Sequence, residues 1–137
     1  MHIDGRCHCG SITYAAKIDP AEVYICHCTD CQTLSGTAFR TMTSCERKDF
    51  RLLSGAPRLY IKIAESGARR AQAFCGSCGT PLYATDADNA DAALSVRLGA
   101  VAQRDQLKPR LQLWARSAQP WLEGMSGIAK LEKEDGI

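Results

Sequence analysis

Short stretches in which apolar and polar residues alternate recur along the chain, separated by glycine and proline. Residues 11–15 (SITYA), 93–98 (ALSVRL) and 111–115 (LQLWA) alternate with a period of two, the pattern of a strand with one buried face. Residues 23–25 are apolar and run directly into Cys26, which predicts a buried strand ending at that cysteine.

Further strands are predicted around two turns. Residues 50–53 and 59–63 flank a Ser-Gly-Ala-Pro sequence and predict strands on either side of a loop. Residues 70–74 lead into Cys75-Gly76-Ser77-Cys78 and residues 80–83 lead out of it, which predicts a strand-knuckle-strand unit.

Little helix is expected. Residues 29–34 predict a single helical turn ended by Gly36, and residues 86–92 (DADNADA) predict an exposed loop. Strands of four to six residues joined by turns indicate a mainly β fold. A length of 137 residues fits one domain, so we expect a single domain over residues 1–137 with a frayed tail over 130–137.

Charge and hydropathy exclude several classes of protein. The 17 basic and 15 acidic residues are scattered and give a net charge of +2, so the basic stripe of a nucleic-acid binder is missing. Eighteen consecutive apolar residues occur nowhere, and we expect no membrane partner. The first ten residues lack the apolar centre of a signal peptide, which predicts a cytoplasmic protein with reduced thiols.

Eight cysteines then become the most informative residues. Seven form three clusters, C-x-C, C-x-C-x-x-C and C-x-x-C, and Cys45 stands alone. Closely spaced thiolates can chelate one metal ion, and zinc takes four protein ligands in structural sites but three where a position stays open. The seven clustered cysteines therefore divide into four ligands for a closed zinc site and three for an open one. The even total leaves disulfide pairing as an alternative, which a reducing compartment disfavours.

The central cluster, Cys26, Cys28 and Cys31, offers three sulfurs on a compact loop. Three sulfurs leave a position at which a substrate thiol could bind as its thiolate. A closed structural site, completed by His27, Asp30 or Cys45, is the alternative. His27 lies between two cysteines and should point away from a shared ion. We therefore expect His27 to contact a ligand or lie on the surface, and the same reasoning applies to His8.

Five other residues have both a functional and an ordinary interpretation. A lone cysteine such as Cys45 is usually a small core or surface residue. Trp114 and Trp121 could line a pocket, but aromatic residues near alternating apolar ones more often belong to a core. Arg40 and Arg97 could hold a substrate carboxylate, although solvated or structural arginines are more common.

The ordered motifs resemble the glutathione-dependent formaldehyde-activating enzyme family, also called GFA or CENP-V domain proteins. The resemblance runs from Gly5 to about Leu122. It rests on GRCHCG at 5–10, CHCTDC at 26–31 and FCGSCGT at 74–80, with looser matches near the end. Gln112 stands where the family often has a histidine, and Asp105 lies further along than the family's usual aspartate. These two departures leave the substrate open.

The resemblance implies a β-tent fold related to zinc ribbons, with short antiparallel sheets tied by a structural zinc on Cys7, Cys9, Cys75 and Cys78. It implies a second, open zinc on Cys26, Cys28 and Cys31, so two zinc ions per chain. Because an open three-cysteine site should bind zinc more weakly than a closed four-cysteine site, we expect the second site to be partly empty after purification. The family's named reaction is carbon–sulfur lyase chemistry with glutathione and formaldehyde, giving S-hydroxymethylglutathione. His27 and Asp30 are the nearest proton acceptors, and neither is required by the chemistry.

Three functions follow in order of preference: a lyase acting on a glutathione-type thiol and a small aldehyde, a thiol carrier without turnover, and a scaffold stabilised by zinc. The sequence does not indicate the oligomeric state.

Overall fold

The computed structural model describes residues 1–136, and residue 137 of the expected tail lies outside them. The described part contains ten strands and one α-helix: β1 His2–Arg6, β2 Thr13–Lys17, β3 Val23–Cys26, α1 Thr29–Ser35, β4 Arg40–Cys45, β5 Phe50–Ser54, β6 Arg58–Ile63, β7 Arg69–Phe74, β8 Pro81–Asp86, β9 Leu94–Arg97 and β10 Leu111–Leu113. Short 3₁₀ turns lie at Arg47–Asp49, Leu98–Ala100, Arg104–Gln106, Ala115–Ser117 and Pro120–Gly127.

The strands form two sheets. The smaller sheet has the order β1-β2-β5 and is antiparallel throughout. The larger has the order β10-β3-β4-β9-β8-β7-β6, in which only the β10–β3 pair is parallel. The predicted mainly β fold is therefore confirmed. None of the helices within residues 1–136 is long and apolar enough to cross a bilayer.

Aromatic side chains connect the two sheets. The Tyr14 ring on β2 stacks on Phe50 of β5 with centroids 4.8 Å apart, and Phe50 meets Tyr83 of β8 edge-on at 5.2 Å. Ile3, Val96 and other fully buried residues surround them in one continuous core. Apolar burial between the sheets supplies the driving force that holds them together.

Strands β1 and β4 were missing from the sequence prediction, and one predicted boundary is wrong. The strands predicted on either side of the Ser-Gly-Ala-Pro loop are present, with β5 in the smaller sheet and β6 at the edge of the larger one. The strand predicted over 111–115 ends at Leu113, since Trp114 adopts a left-handed backbone with φ of 55°. Among residues 130–136 there is no helix or strand.

The two tryptophans do not belong to the core. Trp114 and Trp121 are 43% and 49% exposed, contrary to the interpretation that the sequence favoured. Trp114 has a left-handed backbone, and the Arg116 guanidinium lies 4.9 Å from its ring centroid.

Replacing Gly5 with alanine is expected to destabilise the fold by about 3 kcal/mol, the upper part of the usual overpacking range. Gly5 pairs with Tyr14 across β1 and β2, and a Cβ there would lie 1.9 Å from a Tyr14 ring carbon. The ring is only 1% exposed and packed on Phe50, so it has no free space to move into. Urea unfolding would measure the loss. Gly124→Ala is the matched control, since its Cβ meets no atom within 4 Å. Equal stability of the two variants would contradict the packing argument.

Two candidate metal centres

Four cysteines from the two sheets meet at one point. Cys7 and Cys9 lie in the loop that follows β1, and Cys75 and Cys78 lie in the loop between β7 and β8. Their four Sγ atoms all lie within 4.8 Å of one another. This four-cysteine cluster joins the smaller sheet to the larger one, and could hold a metal ion.

The spacing of these sulfurs fits zinc. Cys7 Sγ and Cys9 Sγ are 3.7 Å apart, and Cys9 Sγ and Cys75 Sγ are 3.8 Å apart. A tetrahedral ion with zinc–sulfur bonds of about 2.3 Å separates its ligands by about 3.8 Å. The thiols therefore stand at the distances of a closed tetrahedral site.

The two loops that carry these cysteines close in the same way. The Cys7 amide donates to Ile12 O at 3.0 Å, and the Cys75 amide donates to Thr80 O at 3.0 Å. Each loop turns through a glycine with positive φ, 82° at Gly10 and 80° at Gly79. Such a backbone favours glycine, which explains why each cysteine pair is followed by one.

Hydrogen bonds in the loops favour the thiolate form at two positions. Thr80 Oγ1 accepts the His8 amide at 3.0 Å, so its own proton is free for Cys78 Sγ at 3.2 Å. This hydroxyl, with nearby backbone amides, lowers the pKa of Cys78 to about 5. Burial raises the pKa of Cys7, but the Ile12 amide and neighbouring donors outweigh it and bring that pKa to about 7. Ionised thiols are the form that binds metal.

The second group contains Cys26, Cys28 and Cys31, whose Sγ atoms also lie within 4.8 Å of one another. This three-cysteine cluster is built by the end of β3 and the start of α1. Within residues 1–136, a fourth histidine, cysteine or carboxylate does not join it. The arrangement could hold a metal ion and leaves one side without a protein ligand.

Capping of α1 fixes the loop of the three-cysteine cluster. Cys28 is the N-cap, and its Sγ accepts the Cys31 amide at 3.2 Å. Gly36 ends the helix with φ of 72°, as the sequence predicted. A hydrogen bond from the Cys31 thiol lowers the pKa of Cys26. The same contact, together with the burial of Cys31, raises the pKa of Cys31.

None of the three residues considered for closing this cluster is near enough. His27 is buried, and its Nε2 lies 2.7 Å from Gln112 Oε1. Asp30 is exposed and forms an ion pair with Lys62 at 2.7 Å. Cys45 is buried at the end of β4 and belongs to the apolar core.

His27 is held inside the protein. Its backbone amide donates to Leu113 O at 3.0 Å, so the β3–β10 pairing continues past Cys26. Because an amide oxygen only accepts, Nε2 carries the ring proton toward Gln112, and the buried Nδ1 has no partner. Gln112 thus binds the histidine between the cysteines, a contact that the sequence did not reveal. His8, by contrast, is exposed.

Arg40 and Arg97 are buried as well. They are 5% and 8% exposed, so the solvated interpretation is wrong for both. Burial, together with the charge of Arg40, lowers the pKa of Arg97 to about 9, which still leaves it protonated at neutral pH.

Cys45 is expected to remain unreactive in the native protein and to contribute nothing to metal binding. It is 2% exposed, and burial, with the nearby Asp49 and Glu46, raises its pKa to about 11. Its reactive thiolate should therefore form only as the pH approaches 11. Mass spectrometry after iodoacetamide treatment at pH 8 should find Cys45 unmodified, and Cys45→Ala should keep the zinc content of the wild type. Rapid alkylation or lost zinc would contradict this.

Comparisons with known proteins agree with this architecture. Residues 2–117 match a family model described as glutathione-dependent formaldehyde-activating enzyme. No curated protein matches the chain. A crystal structure of a Rhodobacter sphaeroides protein superimposes with a TM-score of 0.60 and 19% identity, covering 80% of this chain and 98% of that one. At that identity the similarity concerns the fold.

Proposed function

The chain belongs to the glutathione-dependent formaldehyde-activating enzyme family, and we propose that it is a zinc-dependent carbon–sulfur lyase. Its substrates would be a glutathione-type thiol and formaldehyde or a related small aldehyde. The observation that carries the proposal is the three-cysteine cluster, which lies apart from the four-cysteine cluster and lacks a fourth ligand among residues 1–136.

The two clusters would hold two zinc ions with different roles. In this proposal Cys7, Cys9, Cys75 and Cys78 hold a structural zinc that ties the sheets together. Cys26, Cys28 and Cys31 hold the second zinc. When bound, that ion would lower the pKa of a thiol at its open position, which favours the reactive thiolate.

The reaction is an addition without oxidation or reduction. The thiol sulfur forms a bond to the carbonyl carbon, the carbon–oxygen double bond becomes single, and the thiol proton ends on the oxygen. Of the two nearby proton acceptors, Asp30 is paired with Lys62, whereas His27 Nδ1 is without a partner. His27 is therefore the better candidate to hold a proton near the three-cysteine cluster, with Gln112 fixing its ring.

Metal binding by the cysteines and addition of the substrate thiol both require reduced thiols, so we propose that the protein acts in the cytoplasm. One domain over the chain is sufficient for the proposed chemistry, because the two sheets share one core and the loops and helix that carry both clusters extend from their strands.

Exchange of ¹³C-formaldehyde with its glutathione adduct tests the proposal. At equilibrium, NMR exchange spectroscopy measures the rate of interconversion with and without zinc-loaded protein. A rate above that of the uncatalysed reaction at neutral pH supports the lyase. Binding of glutathione without a rate effect would instead indicate a thiol carrier, and neither binding nor rate effect would leave a structural role for both metals.

A further inference from the structure

Two buried arginines lie without an acidic partner. The ion pairs of residues 1–136 are His2–Asp4, Asp30–Lys62 and Arg69–Asp88, and none includes Arg40 or Arg97. Each arginine is more than nine-tenths buried, and the Nε of each has no hydrogen-bond partner. A buried charge is costly unless it is paired, so this pair indicates a place for an anion.

The contacts of the two side chains differ. Arg97 donates to three neutral acceptors, Ser95 Oγ at 3.0 Å, Gln72 Oε1 at 2.8 Å and Met42 Sδ at 3.8 Å. These bonds fix the guanidinium without neutralising its charge, which the Cys31 and Cys26 thiols offset in part when they are ionised. The buried Nε of Arg40 has no hydrogen-bond partner among residues 1–136. Its planar donor fork is therefore free for a ligand.

Both arginines border empty space. A cavity of about 230 Å³ is lined by Arg40, Arg97, Phe39, Thr41 and Ser35, among others. Arg40 also lines a neighbouring cavity of about 360 Å³ with Tyr60, Phe74 and Gln72. The two cavities share Arg40 and Pro81 in their linings, so the Arg40 side chain borders both of them.

This region adjoins the three-cysteine cluster. Arg40 on β4 stands opposite Cys26 of β3 in the sheet register. Leu34 and Ser35, which line the two cavities, lie about one helical turn beyond Cys31 on α1. A thiol held at the cluster could therefore extend its chain toward the arginines.

We propose that Arg40 and Arg97 form a subsite for a carboxylate of the thiol substrate, so that the protein selects acidic thiols such as a carboxylate-bearing peptide. This inference rests on the proposed function, because it places the substrate sulfur at the three-cysteine cluster. Arg40 binds the carboxylate directly through its unpartnered fork, and Arg97, fixed by Gln72 and Ser95, adds the second charge.

Glutathione and its diethyl ester are the probes that test this assignment, since they share a skeleton and differ in their carboxylates. Calorimetry on the zinc-loaded protein should show glutathione binding about tenfold or more tightly than the ester, the effect expected of hydrogen bonds between charged groups. Arg40→Gln should weaken the binding of glutathione by a similar factor and leave the affinity for the ester unchanged. Arg51→Gln is the matched control, because Arg51 is exposed on β5 of the other sheet.

Two results would overturn the subsite. One is equal affinity of wild type for glutathione and the ester. The other is an Arg40→Gln variant that binds glutathione and the ester more weakly by the same factor. This would mean that the arginine only balances the charge of the cysteine thiolates. If Arg40→Gln fails to fold, the affinities for glutathione and its ester are compared in Arg97→Gln and in the wild type instead. Selective binding without aldehyde turnover would refute the lyase but uphold the subsite, and turnover without selectivity would do the reverse.

Discussion

Cys78→Ser is expected to lose its structural metal and at least about 5 kcal/mol of folding free energy. Structural zinc contributes about 10–16 kcal/mol in zinc-finger peptides, which compares with a total stability of about 5–15 kcal/mol for an ordinary domain. Cys78 is one of four thiols that join the two sheets, so its loss separates elements far apart in sequence. Circular dichroism during urea unfolding, with zinc analysis of the same samples, measures both effects.

The control for Cys78→Ser is Cys45→Ala, which removes a thiol that belongs to neither cluster. It should lose only the modest stability expected of a small buried truncation. A Cys78→Ser variant that unfolds at the urea concentration of the wild type would show that the four-cysteine cluster is not what ties the sheets together.

Cys28→Ser is expected to lose the second zinc and to return formaldehyde–glutathione exchange to its uncatalysed rate, with the fold retained. The substitution keeps the N-cap of α1, because the Ser hydroxyl can accept the Cys31 amide that Cys28 Sγ now accepts. Loss of stability should therefore be small, within about 1–2 kcal/mol. NMR exchange spectroscopy measures the rate, and urea unfolding measures the fold.

Cys28→Ser and Cys78→Ser are the same chemical change in the two clusters. Comparing them therefore separates a catalytic metal from a structural one. If Cys28→Ser unfolds the protein as severely as Cys78→Ser, both clusters are structural and the scaffold interpretation replaces the lyase. If Cys28→Ser keeps full exchange activity, the reaction takes place elsewhere.

Each short cysteine motif could be recognised from sequence because it carries its own local signal, whereas the union of Cys7 and Cys9 with Cys75 and Cys78 followed from the family resemblance. In C-x-C and C-x-x-C the spacing allows both sulfurs to reach one ion, and the glycines at Gly10 and Gly79 mark where each loop must turn. Strands β7 and β8 were predicted on either side of Cys75 and Cys78 for the same reason: the unit is local, and its hydrogen bonds close within a few residues.

Features set by distant contacts could not be predicted. Strand β1 contains Asp4 and Gly5, which have low strand propensity, yet Gly5 is required because the Tyr14 ring occupies the space of its side chain. Strand β4 (RTMTSC) has no clear alternation of apolar and polar residues, and its buried positions, Arg40, Thr43 and Cys45, do not follow a period of two either. Pairing of β5 and β6 with different sheets also depends on the whole topology.

The same limit applies around the three-cysteine cluster. Gln112 lies 85 residues beyond His27, so only the parallel pairing of β10 with β3 brings the two together. Arg40 and Arg97 carry no local signal that distinguishes them from the solvated arginines of the chain. Their burial becomes visible only when β4 and β9 pair in the middle of the larger sheet.

Zinc per chain, measured by elemental analysis after loading with excess zinc and gel filtration, tests the central claim most directly. With two separate centres, the wild type should hold two zinc ions and Cys28→Ser should hold one while remaining folded. A wild type that never exceeds one zinc, or a Cys28→Ser variant that still holds two, would contradict the assignment of a second metal to Cys26, Cys28 and Cys31.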